Sequence, residues 1–437
     1  THQERHMSEL LEFNLLEDET RECPFKYFEA IRHLDKPVYF MPELGVYYIS
    51  RYEDVRFIKK HPEIFSNDIY KHGAQRGGTS RNVAEEFKNE NGWARVSTLQ
   101  RTDPPVHTKY RGLINDAFSV ARIRSMTNYI ETVVNDLIDK FIDEGKCDFM
   151  WDLSVPLPCT VIADQLGVPR EKIWLLKQWS DAMLAPGGGF TDEAQALECA
   201  KQVVEAQQFF AEVLGERKHE PKDDIISDLA HAKLKDDPDG PERELDMFEI
   251  QDLLEQLLTG GNETTTNAIG SGLMLLLQRP ELMDRMRSDQ KLIRNFIEES
   301  LRYETPVLHL WRVTVEDTEL GGIPIPKGSS IAVGYASANR DEAVFDNSEA
   351  FDIERKKAGA HLAFGSGPHH CPGAALARQE MYSAFTIFLH RLDNIRTVDT
   401  NEPFKHVPSS FLRGLSNLHL EFDVRQRDRY FPNASVY

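Results

Sequence analysis

Hydrophobic positions recur at helical spacing through most of the chain. This spacing predicts four amphipathic helices, at about 106–118, 124–144, 171–185 and 192–217. Strand patterns are fewer: a hairpin over 37–50 that turns at Pro42–Gly45, and short strands within 306–333 and 408–424. The pattern therefore predicts a mostly α protein with a minor β portion.

The longest predicted helix covers 246–277. Asp246 and Glu249 have the spacing of a capping box at its start. Apolar residues then follow one helical face: Ile250, Leu253, Leu254, Leu257 and Leu258. At ~1.5 Å per residue, such a helix is roughly 45 Å long and crosses a whole domain.

Two glycines and a run of polar residues interrupt the middle of this helix, over 259–266. Each glycine costs about 1 kcal/mol relative to alanine in a helix. Two interpretations remain open. Either Gly260 and Gly261 let another element pack closely, or a flat ligand lies against them, with Glu263 and Thr264 supplying a carboxyl and a hydroxyl.

Two segments are predicted to be irregular. Residues 61–101 lack sustained periodicity and contain the glycine-rich run that follows His72, so a functional or mobile loop is expected. Pro186–Phe190 contains three consecutive glycines between two predicted helices. This joint is a candidate lid over a binding site, covering about 185–192.

The domain organisation predicted is a single domain over 21–437, preceded by a partly disordered extension over 1–20, because no internal repeat or long linker interrupts the chain. No apolar run approaches the ~18 residues of a membrane span, so no membrane anchor is expected. Five cysteines without CxxC spacing argue against a disulfide framework and a structural zinc site.

The chain is also acidic. It has 51 Lys and Arg against 71 Asp and Glu, a net charge of −20. This charge disfavours nucleic acid and anionic membranes as partners. Together these features predict a soluble, cytoplasmic protein.

The most informative segment is 361–378, where glycines and prolines frame Cys371. Pro372 fits the first position of a helix, so free backbone amides and the positive helix end are expected to lower the pKa of the Cys371 thiol. Several interpretations are open: a buried apolar cysteine, a hydrolase nucleophile with His369 or His370, or the single thiolate ligand of a haem. Zinc is disfavoured, because no second Cys/His cluster accompanies this one.

Residues 364–373, FGSGPHHCPG, resemble the haem-ligand loop of the cytochrome P450 monooxygenases. Four further segments resemble motifs of the same family, in the same order, between about residues 20 and 425. They are Asp103–Arg111, Gly260–Thr265, Glu299–Arg302 and Phe351–Arg355. The resemblance implies a single-domain cytochrome P450 fold with a long central helix over the haem.

The resemblance also implies roles for individual residues. Haem b would be held with Cys371 as the proximal thiolate ligand of the iron. Residues implied to contact the haem, the first four through its propionates, are His107, Arg111, Arg312, His369, Gly261, Phe364 and Gly373. Glu263 and Thr264 resemble an acid–alcohol pair that delivers protons to bound dioxygen. Glu299, Arg302 and Arg355 would form a buried structural network.

The substrate pocket implied by the resemblance is mainly apolar, which favours an apolar small organic molecule. Its expected lining is Leu184, Leu257, Gly260, Val307, Leu308, Leu310 and Phe411, with His309 as a polar candidate. The resemblance, with both Glu263 and Thr264 present, implies a monooxygenase reaction that consumes dioxygen and two electrons. A peroxygenase and a haem-based gas sensor without turnover are the alternatives.

Electrons are expected from separate proteins, a ferredoxin and its reductase, because no flavin or nicotinamide domain is predicted in the chain. Residues 101–113 and 354–380 are both net positive in an otherwise acidic chain. An acidic ferredoxin is expected to dock on these two segments.

Overall fold

The computed structural model describes residues 14–42, 44–72, 82–398, 401 and 404–436. Residues 1–13 of the expected extension, and 73–78 of the glycine-rich run after His72, lie outside the described residues. Leu15 is fully buried against Tyr27 and Phe28. The expected boundary at residue 21 is therefore too late, because the packed core already includes Leu15.

Sixteen α-helices are present in the described part of the chain. They are α1 (Asp18–Glu22), α2 (Phe25–Arg32), α3 (Tyr52–Lys60), α4 (Val83–Asn91), α5 (Val106–Ile114), α6 (Val120–Ser125), α7 (Thr127–Asp139), α8 (Pro156–Leu166), α9 (Ile173–Leu184), α10 (Glu193–His219), α11 (Ile225–His231), α12 (Met247–Leu277), α13 (Glu281–Ser288), α14 (Lys291–Tyr303), α15 (Tyr335–Ala338) and α16 (Ala374–Arg391). A π-helical turn over Met150–Ser154 precedes α8.

The strands are short and form four sheets. They are β1 (Val38–Met41), β2 (Val46–Ile49), β3 (Phe65–Ser66), β4 (Lys146–Asp148), β5 (Lys233–Lys235), β6 (Glu242–Glu244), β7 (Leu310–Thr314), β8 (Thr318–Leu320), β9 (Ile323–Ile325), β10 (Ser330–Val333), β11 (Leu392–Thr397) and β12 (His419–Val424). The largest sheet has the order β1-β2-β10-β7-β3, and a second has the order β11-β12-β4. Strand β2 pairs with β1 as the expected hairpin, in antiparallel register from Val38 opposite Ile49.

The central helix α12 confirms the longest sequence prediction. It has 31 residues, and both hydrogen bonds of the Asp246–Glu249 capping box are formed. Most of its residues are buried, including Leu253, Leu254 and Leu258. Because α12 packs on α8, α9, α14 and α16, it runs through the main core and brings its interrupted middle inside the protein.

Three elements differ from the sequence prediction. The segment 61–101 contains α4, which has no buried residue and therefore no apolar periodicity to reveal it. The expected helix over 124–144 begins earlier and is divided between α6 and α7. The helix after Cys371 begins at Ala374 and not at Pro372, since Pro372 and Gly373 form a turn.

The mostly α architecture with a minor β portion and a long central helix is confirmed. The main hydrophobic core surrounds α12, and two smaller clusters lie beneath the sheet that contains β7 and β10. None of the described helices combines the length and the apolar character that crossing a bilayer demands.

Candidate functional site

The loop before α16 holds Cys371 in a defined position. The Cys371 amide donates to the Phe364 carbonyl oxygen at 2.9 Å, which closes the loop at its base. Gly365 and Gly367 have φ values of +67° and +68°, a conformation that favours glycine. Any side chain at Gly367 would also meet the Lys59 backbone, because an added Cβ would lie 2.4 Å from its carbonyl oxygen. The FGSGPHHCPG pattern thus reflects backbone shape.

The electrostatics of Cys371 correct one expectation. Burial raises the pKa of the Cys371 thiol, and it outweighs the opposing effects of the Gly373 amide, Arg111 and Arg378. The predicted net lowering of the Cys371 pKa is therefore wrong for the protein's own residues. Removing the thiolate from water raises the pKa by more than the amides of the loop lower it. A coordinated metal cation deprotonates a thiol outright, so the site suits a metal ligand better than a free nucleophile.

The interrupted middle of α12 has one open face. Gly260 has no atom within 4 Å of an added Cβ. Thr264, one turn later, is only partly buried, and its hydroxyl donates to the Gly260 carbonyl oxygen at 3.1 Å. These two residues therefore present a hydroxyl and an open surface on the same side of the helix.

Gly261 faces the other way, which corrects its implied role as a haem contact. An added Cβ at Gly261 would lie 2.9 Å from Ile162 Cδ1 on α8. This glycine allows α8 and α12 to approach closely. Close packing thus accounts for Gly261, while the space above Gly260 is open.

Glu263 belongs to a chain of ionisable groups that leads towards the surface. Its Oε2 accepts from Lys177 Nζ at 2.8 Å, and the same ammonium contacts Asp181 one turn along α9. The exposed fractions of the side chains are 13% for Glu263, 10% for Lys177 and 48% for Asp181. The chain therefore begins beside Thr264 and ends in contact with solvent.

A surface groove of about 370 Å³ lies over Lys177 and Asp181. Two half-exposed tryptophans, Trp151 and Trp174, line it with their ring centroids 6.1 Å apart. Sequence reasoning missed Lys177 and Asp181, although their i, i+4 spacing was visible in the predicted helix over 171–185. Their link to Glu263 depends on how α9 packs against α12.

A cluster of basic side chains gathers beside the Cys371 loop. The rings of His107 and His369 are 4.0 Å apart, and Arg111 Nη1 donates to the His370 carbonyl oxygen at 2.7 Å. Burial and then Arg111 lower the pKa of His107 to about 4. Burial and Arg312 lower the pKa of His369 as well. Burial and the neighbouring cations thus disfavour the protonated form of both imidazoles.

The basic cluster fits a ligand that carries carboxylates. His369 Nε2 is buried without a hydrogen-bond partner among the described residues. The nearby carboxylate of Asp103 is already engaged by Ser66 and Asn67. Lys59, on α3, is a further buried cation in this cluster that sequence reasoning missed. A detectable signal existed, because Lys59 continues the apolar stripe of Tyr52 and Val55 on its helix.

The Glu299–Arg302 pair forms the predicted buried network. Arg302 Nε donates to Glu299 Oε2 at 2.7 Å, and both side chains have 0% exposure. Arg355 Nε donates to the same carboxylate at 3.1 Å. Beside this network, Glu298 binds Arg378 at 2.6 Å and His361 at 3.1 Å. The network ties α14 to the segment that precedes the Cys371 loop.

The structure corrects part of the expected pocket lining. Leu308 has 1% exposure and packs with Phe28 and Met41 in the core cluster beneath β1 and β2. The His309 ring lies between Tyr48 and Trp311, with centroid distances of 5.8 and 4.6 Å. Both side chains are therefore part of the packed core and do not line the expected pocket.

Other candidates come together around the glycine-rich joint. Phe411 lies next to Gly187, since an added Cβ there would be 3.5 Å from its ring. The Ser410 amide donates to the Gly188 carbonyl oxygen at 3.1 Å. Val307 and Leu310 are half-buried, and Val307 pairs with Leu412 in an isolated bridge. Segments 307–310 and 410–412 and the joint after Leu184 are therefore adjacent.

Several cations counted for a docking surface are already paired inside the protein. Arg101 binds Asp252 and Glu255 on α12. Arg355 and Arg378 bind Glu299 and Glu298, as described above. Only part of the expected positive surface is therefore available, chiefly the exposed Lys356 and Lys357.

Comparisons with known proteins agree with this site. A family model described as Cytochrome P450 matches residues 193–422. The putative cytochrome P450 YjiB of Bacillus subtilis is 32% identical over 91% of this chain and 93% of its own. Linalool 8-monooxygenase of Pseudomonas putida is 31% identical over 92% of this chain and 96% of its own. The solved structure of CYP109Q5 from Chondromyces apiculatus has a TM-score of 0.80 at 31% identity, covering 94% and 98% of the two chains.

The fold, the Cys371 loop and these matches place the chain in one family: it belongs to the cytochrome P450 family. It is a cytochrome P450 monooxygenase, an oxidoreductase that binds haem b through a cysteine thiolate and needs dioxygen and a redox partner. Family membership excludes a Cys–His hydrolase and a haem-binding module without turnover.

Proposed function

We propose that this chain hydroxylates an apolar small organic molecule, using dioxygen and two electrons from a separate ferredoxin. The observation that carries the proposal is the arrangement on α12. Thr264 presents a hydroxyl on an open face, and Glu263 beside it is linked through Lys177 to the surface. A monooxygenase needs such a route, because one oxygen atom leaves as water and takes up two protons.

Cys371 is the residue proposed to supply the thiolate. Thiolate-ligated haem provides the oxygen-activating chemistry, because electron donation from sulfur favours O–O cleavage. His107, Arg111, Arg312 and His369 are proposed to hold the haem propionates, with Phe364 and Gly373 contacting the ring. The orphaned Nε2 of His369 and the occupied carboxylate of Asp103 support this assignment.

Thr264 and Glu263 have different tasks in the proposal. Adjacent residues on a helix do not face each other, so the Glu263 carboxylate and the Thr264 hydroxyl point in different directions. The Lys177 ammonium holds the carboxylate on the solvent side. Rotation of Glu263 away from Lys177 then carries a proton towards the Thr264 hydroxyl, which passes it into the pocket.

The substrate is proposed to bind between the open face of α12 and the segments around Val307, Leu310 and Phe411. These positions, with Leu184 and Leu257, are apolar, and Gly260 leaves room above the helix. An apolar pocket favours an apolar ligand through the hydrophobic effect. Relatives named linalool 8-monooxygenase and steroid C26-monooxygenase support a small organic substrate.

The ferredoxin is proposed to dock near Lys356 and Lys357. Both lysines are exposed, and they follow directly after Arg355 of the buried network. Because the chain carries a net charge of −20, an exposed pair of lysines is a local exception that would steer an acidic partner. Replacing both with glutamine is expected to slow reduction by ferredoxin, most strongly at low salt.

The experiment that tests the function combines binding and turnover. Apolar candidates are screened by the spin-state change in the haem spectrum, and binders are incubated with ferredoxin, its reductase and isotopically labelled dioxygen. One labelled oxygen atom in the product supports the proposal. Product formed only with peroxide, at the same rate without the electron donors, would contradict it.

A further inference from the structure

Lys59 is an unusual residue for its position. It lies on the buried face of α3, and its exposed fraction is 5%. The same face carries Tyr52, Val55 and Ile58. Its neighbour Lys60 is exposed, as lysines normally are. The chain therefore places a long cationic side chain where the pattern of the helix calls for an apolar one.

No carboxylate balances this cation in the described parts of the chain. The Lys59 ammonium makes no hydrogen bond or ion pair there, and its ring contact is Tyr335, 5.8 Å from the centroid. Burial, followed by the nearby Arg312, lowers its pKa well below the ordinary value. Burying a cation without a partner opposes folding, so a position of this kind normally has an anion beside it.

The location indicates what the missing anion is. The ammonium lies behind the Cys371 loop, since an added Cβ at Gly365 would be 3.6 Å from Lys59 Nζ. It also acts electrostatically on His107 and His369, so it faces the same basic cluster. Arg312 and Arg111 are the other cations of that cluster.

We propose that Lys59 is an additional binding residue for the haem propionates. The inference rests on the proposed role of the basic cluster and adds a third cation to it. Two ionised carboxylates then meet Arg111, Arg312 and Lys59, with His107 and His369 beside them. Bound haem thereby supplies the counter-charge that Lys59 lacks among the protein's own groups.

The variant Lys59→Met keeps the apolar stem of the side chain and removes its charge. Its rate of haem release and the melting temperature of its haem-free form distinguish a haem-binding role of Lys59 from a purely structural one. If Lys59 binds propionate, the variant loses haem to excess apomyoglobin about tenfold faster or more, as expected when a hydrogen bond to a charged group is lost. The haem-free variant should meanwhile melt at a higher temperature than haem-free wild type, because an unpaired buried amine has been removed. The matched control is Lys60→Met, which should change neither value.

Esterified haem provides a second test on the same proteins. Iron protoporphyrin dimethyl ester carries no propionate charge, so wild type and Lys59→Met should release it at the same rate. If Lys59→Met does not fold, Lys59→Gln is measured in the same two ways. A variant with unchanged haem release, or one that accelerates release of haem and of its dimethyl ester equally, overturns the proposal.

The proposed function is judged separately. The spectrum of carbon-monoxide-bound, reduced wild type reports thiolate ligation whatever Lys59 does. A wild type with normal thiolate ligation and a Lys59→Met variant with unchanged haem release would leave the enzyme assignment standing and remove only the role of Lys59.

Discussion

Lys177 Nζ lies 2.8 Å from Glu263 Oε2, and Glu263 is followed directly by Thr264. This ion pair joins α9 to the interrupted middle of α12. Asp181 contacts the same ammonium and is half exposed, so a series of ionisable groups runs from the surface to Glu263, the residue before Thr264.

Removing the Thr264 hydroxyl should separate electron use from product formation. In Thr264→Ala, the amount of product per electron consumed is expected to fall about tenfold, because proton delivery by a positioned group is lost. Substrate affinity should stay within about twofold. The control is Thr259→Ala, whose hydroxyl donates to the Glu255 carbonyl oxygen on the same helix. Equal coupling in the two variants would contradict the role of Thr264.

Lys177→Met should slow proton delivery without altering the pocket. Glu263 loses its anchor, so turnover is expected to fall several-fold and the solvent deuterium isotope effect on turnover to rise. Lys201→Met is the control, since Lys201 pairs with Glu198 on the exposed surface at 3.2 Å. An isotope effect identical to that of wild type would show that Lys177 takes no part in proton transfer.

The two glycines of α12 should respond differently to alanine. Gly261→Ala is expected to destabilise the haem-free protein, because the new Cβ meets Ile162 at 2.9 Å. Gly260→Ala meets no atom within 4 Å and should stabilise the haem-free protein by about 1 kcal/mol through helix propensity. It should instead weaken substrate binding. Thermal melting and substrate titration are measured for both variants. A Gly260→Ala variant less stable than Gly261→Ala would contradict the assignment of Gly261 to helix packing and of Gly260 to the open face.

Breaking the buried Glu299 network should be costly. Glu299→Gln leaves Arg302 with 0% exposure and no carboxylate, and such a loss typically costs about 3–5 kcal/mol. Glu421→Gln breaks an exposed pair with Arg396 and should cost under about 1 kcal/mol. Urea unfolding of the two variants gives both free energies. Similar values for the two would contradict a structural role for Glu299.

Acid stability should depend on Glu298. Burial alone would raise its pKa, but hydrogen bonds from His361 and Arg378 lower the pKa to about 2 from 4.5. The folded state therefore binds fewer protons than the unfolded state between these values. The lowered pKa of Glu298 therefore contributes at most about 3 kcal/mol to the free energy of unfolding. This contribution is present above about pH 4.5 and is lost as pH falls towards 2.

Glu298→Gln should flatten this part of the stability profile and leave the slope above pH 6 unchanged. Unfolding is measured at pH 3 to 7 for wild type, Glu298→Gln and Glu354→Gln, the last removing an exposed carboxylate that pairs with Arg285. A wild-type slope retained in Glu298→Gln would show that this group does not govern the acid limb.

Local patterns predicted the parts of the fold that local physics controls. The capping box at Asp246 and the apolar stripe that follows it set the start of α12, and both can be recognised in the sequence. Helix α4 could not be predicted from the sequence, because a helix without a buried face shows no periodic pattern of apolar residues. Elements were therefore predictable where burial imposes a repeat.

The sequence indicated which residue types to consider for the site, but not which way their side chains or open faces point in the fold. Motifs singled out the Cys371 loop, the basic residues and the Glu263–Thr264 pair, whose roles are proposals. Which of Gly260 and Gly261 faces the ligand, and whether Leu308 lines a pocket or a core, depends on how distant elements pack. Lys177 was missed because its partner Glu263 lies far away in the sequence. The surroundings of the Lys59 ammonium likewise depend on how α3 packs against the Cys371 loop.

The measurement that tests the central claim most directly is the absorption spectrum of the reduced, carbon-monoxide-bound protein, recorded for wild type and Cys371→Ser. A strongly red-shifted Soret band in wild type that disappears in the variant is the predicted result. The same haem spectrum in both proteins would mean that Cys371 is not the ligand, and the proposed site would be wrong.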